Sequence, residues 1–313
     1  MNALLELPAD LAALRPSLLR HCYRMLGSFA DAEDLVQDVM LRAWRARDTY
    51  AGDAPIEHWL FRIATNTCLN ALASRKRRSL PQLERASALP EDPFEELEAA
   101  SWLTPAPDAT LLIGPAHALE TRETVALAFL ALLQRLPPRQ RAVLLLKDVV
   151  GWSAEEIAAA LELSLGSVNS ALHRARETVD AGPLAPADDP PPDVLRDYVR
   201  SWETRDLDGL VSLLRNDIVF AMPPHATWFR GAAAVASAIR TPLFERAWAA
   251  GFRLVPTRAN GQLALALYRG TDRGFEARSL QLVRFVGGRA AEVITFVGAA
   301  HLRGFDLPTH LAR

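Results

Sequence analysis

The chain is 313 residues long, 50% hydrophobic and 23% charged, with 35 Lys+Arg against 37 Asp+Glu for a net charge of −2. That length allows about two or three domains of ordinary size, and the composition excludes a disordered, collagen-like or disulfide-scaffolded protein. No apolar run is long enough to span a bilayer, and MNALLELPADLAALRPSLL lacks a basic region and a small-residue cleavage site, so a cytoplasmic protein with no membrane partner is expected.

The near-neutral total hides a segregation. Residues 15–85 are rich in Arg, whereas 86–121 carry seven acids (Glu91, Asp92, Glu95, Glu96, Glu98, Asp108 and Glu120) and no Lys or Arg. Partners are therefore read segment by segment. The two cysteines, Cys22 and Cys68, fall inside helical patterns with no metal-ligand spacing around them. Buried reduced thiols are expected, with no metal and no cofactor.

Residues 10–80 read as helices. Leu14, Leu18, His21, Cys22, Met25 and Leu26 make one stripe that Gly27-Ser28 stops. Asp31 opens a second helix, DAEDLVQDVMLRAWRA, with Leu35, Val39, Arg42 and Ala43 on one side. Its other side gathers Asp31, Glu33, Asp34, Gln37 and Asp38 into a mostly acidic face. Acids near a helix N-terminus are favourable in water; the same face also suits a basic docking partner. After the loop TYAGDAPIEH comes WLFRIATNTCLNALASRKRRS, in which Trp59, Arg62 and Asn66 precede the cations Arg75, Lys76, Arg77 and Arg78. Rings and Arg beside a basic cluster fit single-stranded nucleic acid, where bases stack and cations track the backbone. Trp59, Leu60 and Ile63 also fit a plain helical core.

Residues 86–121 are Pro-rich and acidic, and by composition alone read as a self-repelling tether. Trp102-Leu103 stands out inside it as an apolar pair that should pack somewhere. Gly151–Arg176 then reads as two short helices and a turn. Ser153 with Glu156 can form a capping box, Ile157, Ala160 and Leu161 share a face, and Ser164 can cap a second helix. That helix turns Val168, Ala171, Leu172 and Ala175 inward and Ser167, Asn169, Ser170, His173 and Arg174 outward. Small polar groups first and cations later is the order a recognition helix needs in the major groove.

Three blocks now carry a specific resemblance: HCYRMLGSFADAEDLVQDVMLRAWR, WLFRIATNTCLNAL and LPPRQRAVLLLKDVVGWSAEEIAAALELSLGSVNSALHRAR. In that order and spacing, over about residues 12–180, the chain resembles regions 2 and 4 of an extracytoplasmic-function sigma factor. The resemblance implies core RNA polymerase and promoter DNA as partners. The DAEDLVQD helix would meet the β′ clamp helices, and region 4 would meet the β flap. The loop 49–58 with Trp59, Arg62 and Asn66 would open and read the −10 element, residues 75–78 would hold phosphates, and the helix 165–176 would read −35. The loop departs from the family by carrying Asp53, Ala54 and Pro55, which leaves open the base it captures.

Beyond the Pro/Ala/Asp hinge at 181–193 the pattern changes to helix followed by strands, with Gly287-Gly288 as a hairpin turn. This stretch resembles the SnoaL-like branch of the ketosteroid isomerase and NTF2 cone fold. Its implied apolar pocket has His225, Tyr268, Glu276, Arg278 and His301 as candidate ligand groups, while Asp206, Asp208 and Asp217 read as helix-end caps. No candidate pair is close in sequence, and fold analogy licenses no activity, so no catalytic residue is assigned.

The expected organisation is multidomain: region 2 over 1–85, a linker over 86–121, region 4 over 122–180, the hinge 181–193, and an α+β cone over 194–313. The expected function is promoter selection for core polymerase, with the cone regulating or sensing a small molecule. A one-component, ligand-responsive DNA-binding regulator is the alternative, and an enzyme tethered to DNA or polymerase is a further one.

Overall fold

The computed structural model describes residues 9–47, 50, 52, 54–74, 77–98, 101–111, 126–180, 188–240 and 251–313. They fall into two compact units, each built from two stretches of chain. The first takes Met1–Arg78 and Ile113–Leu184, the second Ser79–Leu112 and Ala185–Arg313.

The first unit is helical. Helices α1 (Ala9–Leu26), α2 (Phe29–Ala46) and α3 (Ile56–Ala73) pack on one another. Helix α1 ends at Gly27, whose φ of +69° suits a residue without Cβ, and its N–H closes on Tyr23 O at 2.8 Å. Ser28 then caps α2. The shared core holds Leu18, Cys22, Met25, Leu35, Val36, Val39, Leu60, Ala64 and Cys68. Arg42, expected on the apolar side of α2, is exposed. His21 is also buried, because its Nε2 donates to Thr65 Oγ1, which in turn donates to Phe61 O. Burial first, and the Arg24 guanidinium second, push the His21 pKa down to about 3.

The second half of this unit has α6 (Leu127–Arg135) and α7 (Pro138–Leu144), a π-turn at Leu145–Val149, α8 (Ala154–Leu161) and α9 (Leu165–Asp180). The capping box forms: Ser153 Oγ accepts from Glu156 N at 3.1 Å, and Glu156 Oε2 accepts from Ser153 N at 2.7 Å. Helix α8 ends on Glu162 in the left-handed region, φ +54°. Ser164 then caps α9 by accepting from Ser167 N. Ile157, Val168 and Ala175 are fully buried between these helices.

The second unit is built on a seven-stranded sheet. Its strands are β1 (Leu214–Ala221), β2 (Trp228–Arg230), β3 (Phe252–Ala259), β4 (Gln262–Thr271), β5 (Gly274–Val286), β6 (Arg289–Val297) and β7 (His310–Leu311). The order is β2-β1-β6-β5-β4-β3 with β7 on β5; β1 and β6 run parallel and the other pairs antiparallel. Helices α10 (Pro192–Thr204), α11 (Leu207–Ser212) and α12 (Ala232–Ile239) close one face of the sheet over a core that includes Tyr198, Trp202, Phe220, Phe252, Leu265, Val283 and Phe285. Asp206 caps α11 through Gly209 N, as read from the sequence. Asp217 instead pairs with Arg215 on β1.

The acidic stretch is not a free tether over its described residues. Trp102 and Leu103 are 4% and 0% exposed, and Trp102 Nε1 donates to Pro224 O at 2.9 Å. Ala106 N donates to Asn260 Oδ1, Asp108 Oδ1 accepts from Gly261 N, and Trp228 Nε1 donates to Arg85 O. Two short helices, α4 (Pro81–Glu84) and α5 (Asp108–Leu111), lie along it. The apolar anchors and this row of bonds outweigh the mutual repulsion of Glu91, Asp92, Glu95, Glu96 and Glu98, which stay exposed and screened, while Asp108 is buried. On the hinge side, Asp188 N bonds Phe285 O, and Arg258 pairs with both Asp189 and Asp108.

Candidate nucleic-acid and polymerase interface

Helix α9 presents its outward residues as expected. Ser167, Asn169, Ser170, His173 and Arg174 are all exposed, with Val168, Ala171 and Ala175 buried on the opposite side. The alternation follows from the 3.6-residue period once Ser164 fixes where the helix starts. Ser167 Oγ lies 2.8 Å from Ser164 Oγ, which holds it at the cap. His173 pairs with Glu177 one turn on. Arg176 is held by Asp148 of the π-turn through two bonds of 2.6 and 3.0 Å, which fixes the C-terminal half of α9. The sequence reading missed Asp148, whose role depends on the π-turn that places it.

On α3, Trp59 is half-buried while Arg62 and Asn66 are exposed, and the spacing puts all three along one side of the helix. Tyr50 lies 5.4 Å from the Trp59 ring and donates its hydroxyl to Ala54 O. Thr49, Asp53, Arg75 and Lys76 lie outside the described residues. The remaining two cations differ from each other. Arg77 is exposed, but Arg78 is 8% exposed and donates to Leu26 O at 3.0 Å and to Asp31 Oδ2 at 2.7 Å. Arg78 thus ties the end of α1 to the start of α2, and Asp31 is its partner. On the face of α2, Asp34, Gln37 and Asp38 are exposed and Glu33 half so.

The five groups named for a pocket in the second unit have different surroundings. Glu276 and Arg278 are exposed on β5, and Tyr268 alternates with the core residues Leu265 and Leu267 and donates to Pro308 O at 2.8 Å. His301 lies against Phe296, and burial lowers its pKa. His225 follows the cis Pro223-Pro224 bond and lies 5.5 Å from Phe94; burial lowers its pKa and Glu96 opposes the shift. The polar groups of the interior are others: Tyr198 donates to Gln281 Oε1 at 2.8 Å, and Gln281 Nε2 donates to Thr295 Oγ1 at 3.2 Å. A glutamine inside the apolar strand SLQLVRFV was the signal for them. Among the described residues no group of three or more His, Cys, Asp or Glu could hold a metal ion, and no helix is long and apolar enough to cross a membrane.

A helical body with a helix-turn-helix, joined to an NTF2-like α+β domain, is the class that fold and surface define. Family models agree: Sigma-70 region 2 matches residues 11–78, Sigma-70 region 4 matches 126–179, and the SnoaL-like domain matches 195–293. The ECF RNA polymerase sigma factor SigG of Mycobacterium tuberculosis is 42% identical over 307 residues, spanning 95% of this chain and 82% of that protein. SigJ of the same organism is 31% identical over 68% of this chain and 63% of its own length. The crystal structure of SigJ shares the fold, with a TM-score of 0.58 at 22% identity, covering 96% of this chain and 99% of that one. The chain belongs to the family of ECF RNA polymerase sigma factors and carries a SnoaL-like C-terminal domain. Its function is promoter-specific initiation of transcription.

Proposed function

We propose that α2 docks on the β′ clamp helices of core polymerase through Asp34, Gln37 and Asp38, and that the helix-turn-helix half meets the β flap. The α3 side bearing Trp59, Arg62 and Asn66, helped by Arg77, takes the melted −10 strand by stacking and phosphate contact. Helix α9 reads −35 with Asn169 and Ser170 on base edges and Arg174 on the backbone. The observation that carries this reading is the uniform exposure of all five outward residues of α9 opposite the buried Val168, Ala171 and Ala175, with Leu172 half-buried. Binding energy is the whole mechanism here: contacts to phosphates and bases stabilise opened DNA, and RNA synthesis belongs to the polymerase.

The C-terminal domain regulates rather than catalyses in this reading. Its interior polar groups, Tyr198, Gln281 and Thr295, are neutral, and burial drives the Tyr198 phenol far above its usual range, so none is placed to exchange protons near neutral pH. Any small molecule it accepts would be uncharged. The protein acts in the cytoplasm, where core polymerase is. In vitro transcription with core polymerase, comparing the full chain with residues 1–188, tests the assignment. RNA from the same new promoters at different levels supports both parts. Duplex binding by the isolated chain with no promoter-directed RNA favours a one-component regulator.

A further inference from the structure

Four large apolar side chains stay exposed among the described residues: Leu41, Leu83, Leu89 and Leu165. A single exposed leucine is ordinary on a protein surface and asks for no partner by itself. Leu165 differs by where it stands. It opens α9, it is 46% exposed, and none of the promoter-reading roles above uses it. Its neighbours Ser164, Gly166, Ser167, Asn169 and Ser170 are all exposed, and each is polar or bare.

The first turn of α9 fixes what can reach a groove. Ser164 Oγ accepts from Ser167 N at 3.2 Å, and Val168 N donates to Ser164 O at 3.0 Å. The Ser167 hydroxyl is held back on Ser164 Oγ at 2.8 Å. A Cβ at Gly166 would meet nothing within 4 Å, so the free fold has no need of glycine there. The bare position lets the turn come close to another surface. One turn beyond Leu165, and on the same side of the helix, stands Asn169. The leading stripe of α9 is thus an apolar group followed by an amide.

The major groove offers one apolar group, the C5-methyl of thymine; the other groups on base edges there are donors or acceptors. A leucine pressed on a donor or acceptor strips its water and returns no bond, which disfavours guanine, adenine and cytosine. On thymine the same leucine buries a methyl. Asn169 suits adenine, whose N6 and N7 take a side-chain amide in two bonds. The two residues are about 6 Å apart along the helix axis, against about 3.4 Å per base step. Their two bases therefore fall within about two base pairs of each other. We propose that Leu165 is a specificity-determining residue of the −35 contact, selecting a thymine through its 5-methyl group beside an adenine read by Asn169. The proposal rests on the reading of −35 by α9 given above.

The test uses core polymerase with the full chain, transcribing a template pool randomised across the −35 segment and barcoded in the transcribed region. With the wild-type chain, one position selects thymine within about two base pairs of a selected adenine. Leu165→Ala removes the thymine preference and keeps the adenine, and Asn169→Ala does the reverse. On the best wild-type template, uracil in place of that thymine lacks only the methyl. It lowers promoter affinity about fourfold, the worth of one buried methyl. Leu165→Ala no longer tells uracil from thymine. Equal affinity of the wild-type chain for the uracil and thymine templates overturns the proposal, and that arm leaves the protein unaltered. A Leu165→Ala loss of the same size on both templates also overturns it, by placing the leucine against some other surface. If Asn169→Ala and Arg174→Ala change no −35 preference, the recognition-helix assignment itself fails. An effect of Asn169→Ala without one from Leu165→Ala removes the leucine alone.

Discussion

Arg77 and Arg78 are neighbours with different work. Arg78 bridges Leu26 O and Asp31 across the α1–α2 turn while nearly excluded from water. Truncating it leaves a carbonyl and a carboxylate short of their donor, so Arg78→Ala should cost about 2–3 kcal/mol in urea unfolding. Arg77→Ala should leave stability alone and instead lower the salt slope of binding to single-stranded −10 DNA by about one. A shared effect of the two substitutions on stability would contradict this division. The run of like cations hid it, because what separates them is the carbonyl and the carboxylate that only one can reach. His21 makes the pH argument at the same scale. Its folded pKa, about 3, lies below the ordinary 6.5, so the neutral form is what the fold holds. The stabilisation is complete above about pH 6.5 and declines as pH falls toward 3, because the unfolded chain takes up the proton first. Denaturant melts should show a loss on the order of 1–2 kcal/mol between pH 7 and pH 5, and His21→Gln should flatten that dependence.

Local elements were the legible part. The capping box at Ser153 and Glu156, the Ser164 cap and the outward set on α9 all formed, since each depends on residues within a turn or two of one another. What the chain order concealed was long-range: the Arg141 and Gln134 contacts to α1 cross more than 100 residues, and the pocket candidates were chosen without knowing which face of β4 and β5 each would occupy. Two element-level outcomes can be measured. Glu162 ends α8 with a left-handed backbone that suits glycine, so Glu162→Gly should raise thermal stability by about 0.5–1 kcal/mol. Asn169→Ala should leave stability unchanged and cost about 1–3 kcal/mol of discrimination at one base pair, read from binding to −35 duplexes varied at each position.

At the scale of the whole molecule, neither unit is a continuous stretch of chain. The division at 85/86 follows composition, but the compact boundary is at Arg78/Ser79, and the acidic stretch as far as Leu112 belongs with the sheet domain. Trp102-Leu103 was the one sequence signal of this, and nothing in it named partners more than a hundred residues away. Ending the chain near residue 188 should therefore expose that pair. A dye that binds apolar surface should respond more strongly to residues 1–188 than to the full chain, and Trp102→Ser with Leu103→Ser should remove most of the difference.

The same discontinuity governs how the molecule comes off the ribosome. Trp102 is made 122 residues before Pro224, and Ala106 is made 154 residues before Asn260. At about 5–20 residues per second, those anchors wait roughly 6–30 s for the strands that cover them. Throughout that interval the nascent chain presents a tryptophan and a leucine flanked by carboxylates and prolines. That setting keeps an apolar pair from pairing with the wrong chain. The acidity that reads as a tether's signature thus serves the unfinished protein, holding these long-waiting anchors in solution until the segments that cover them arrive.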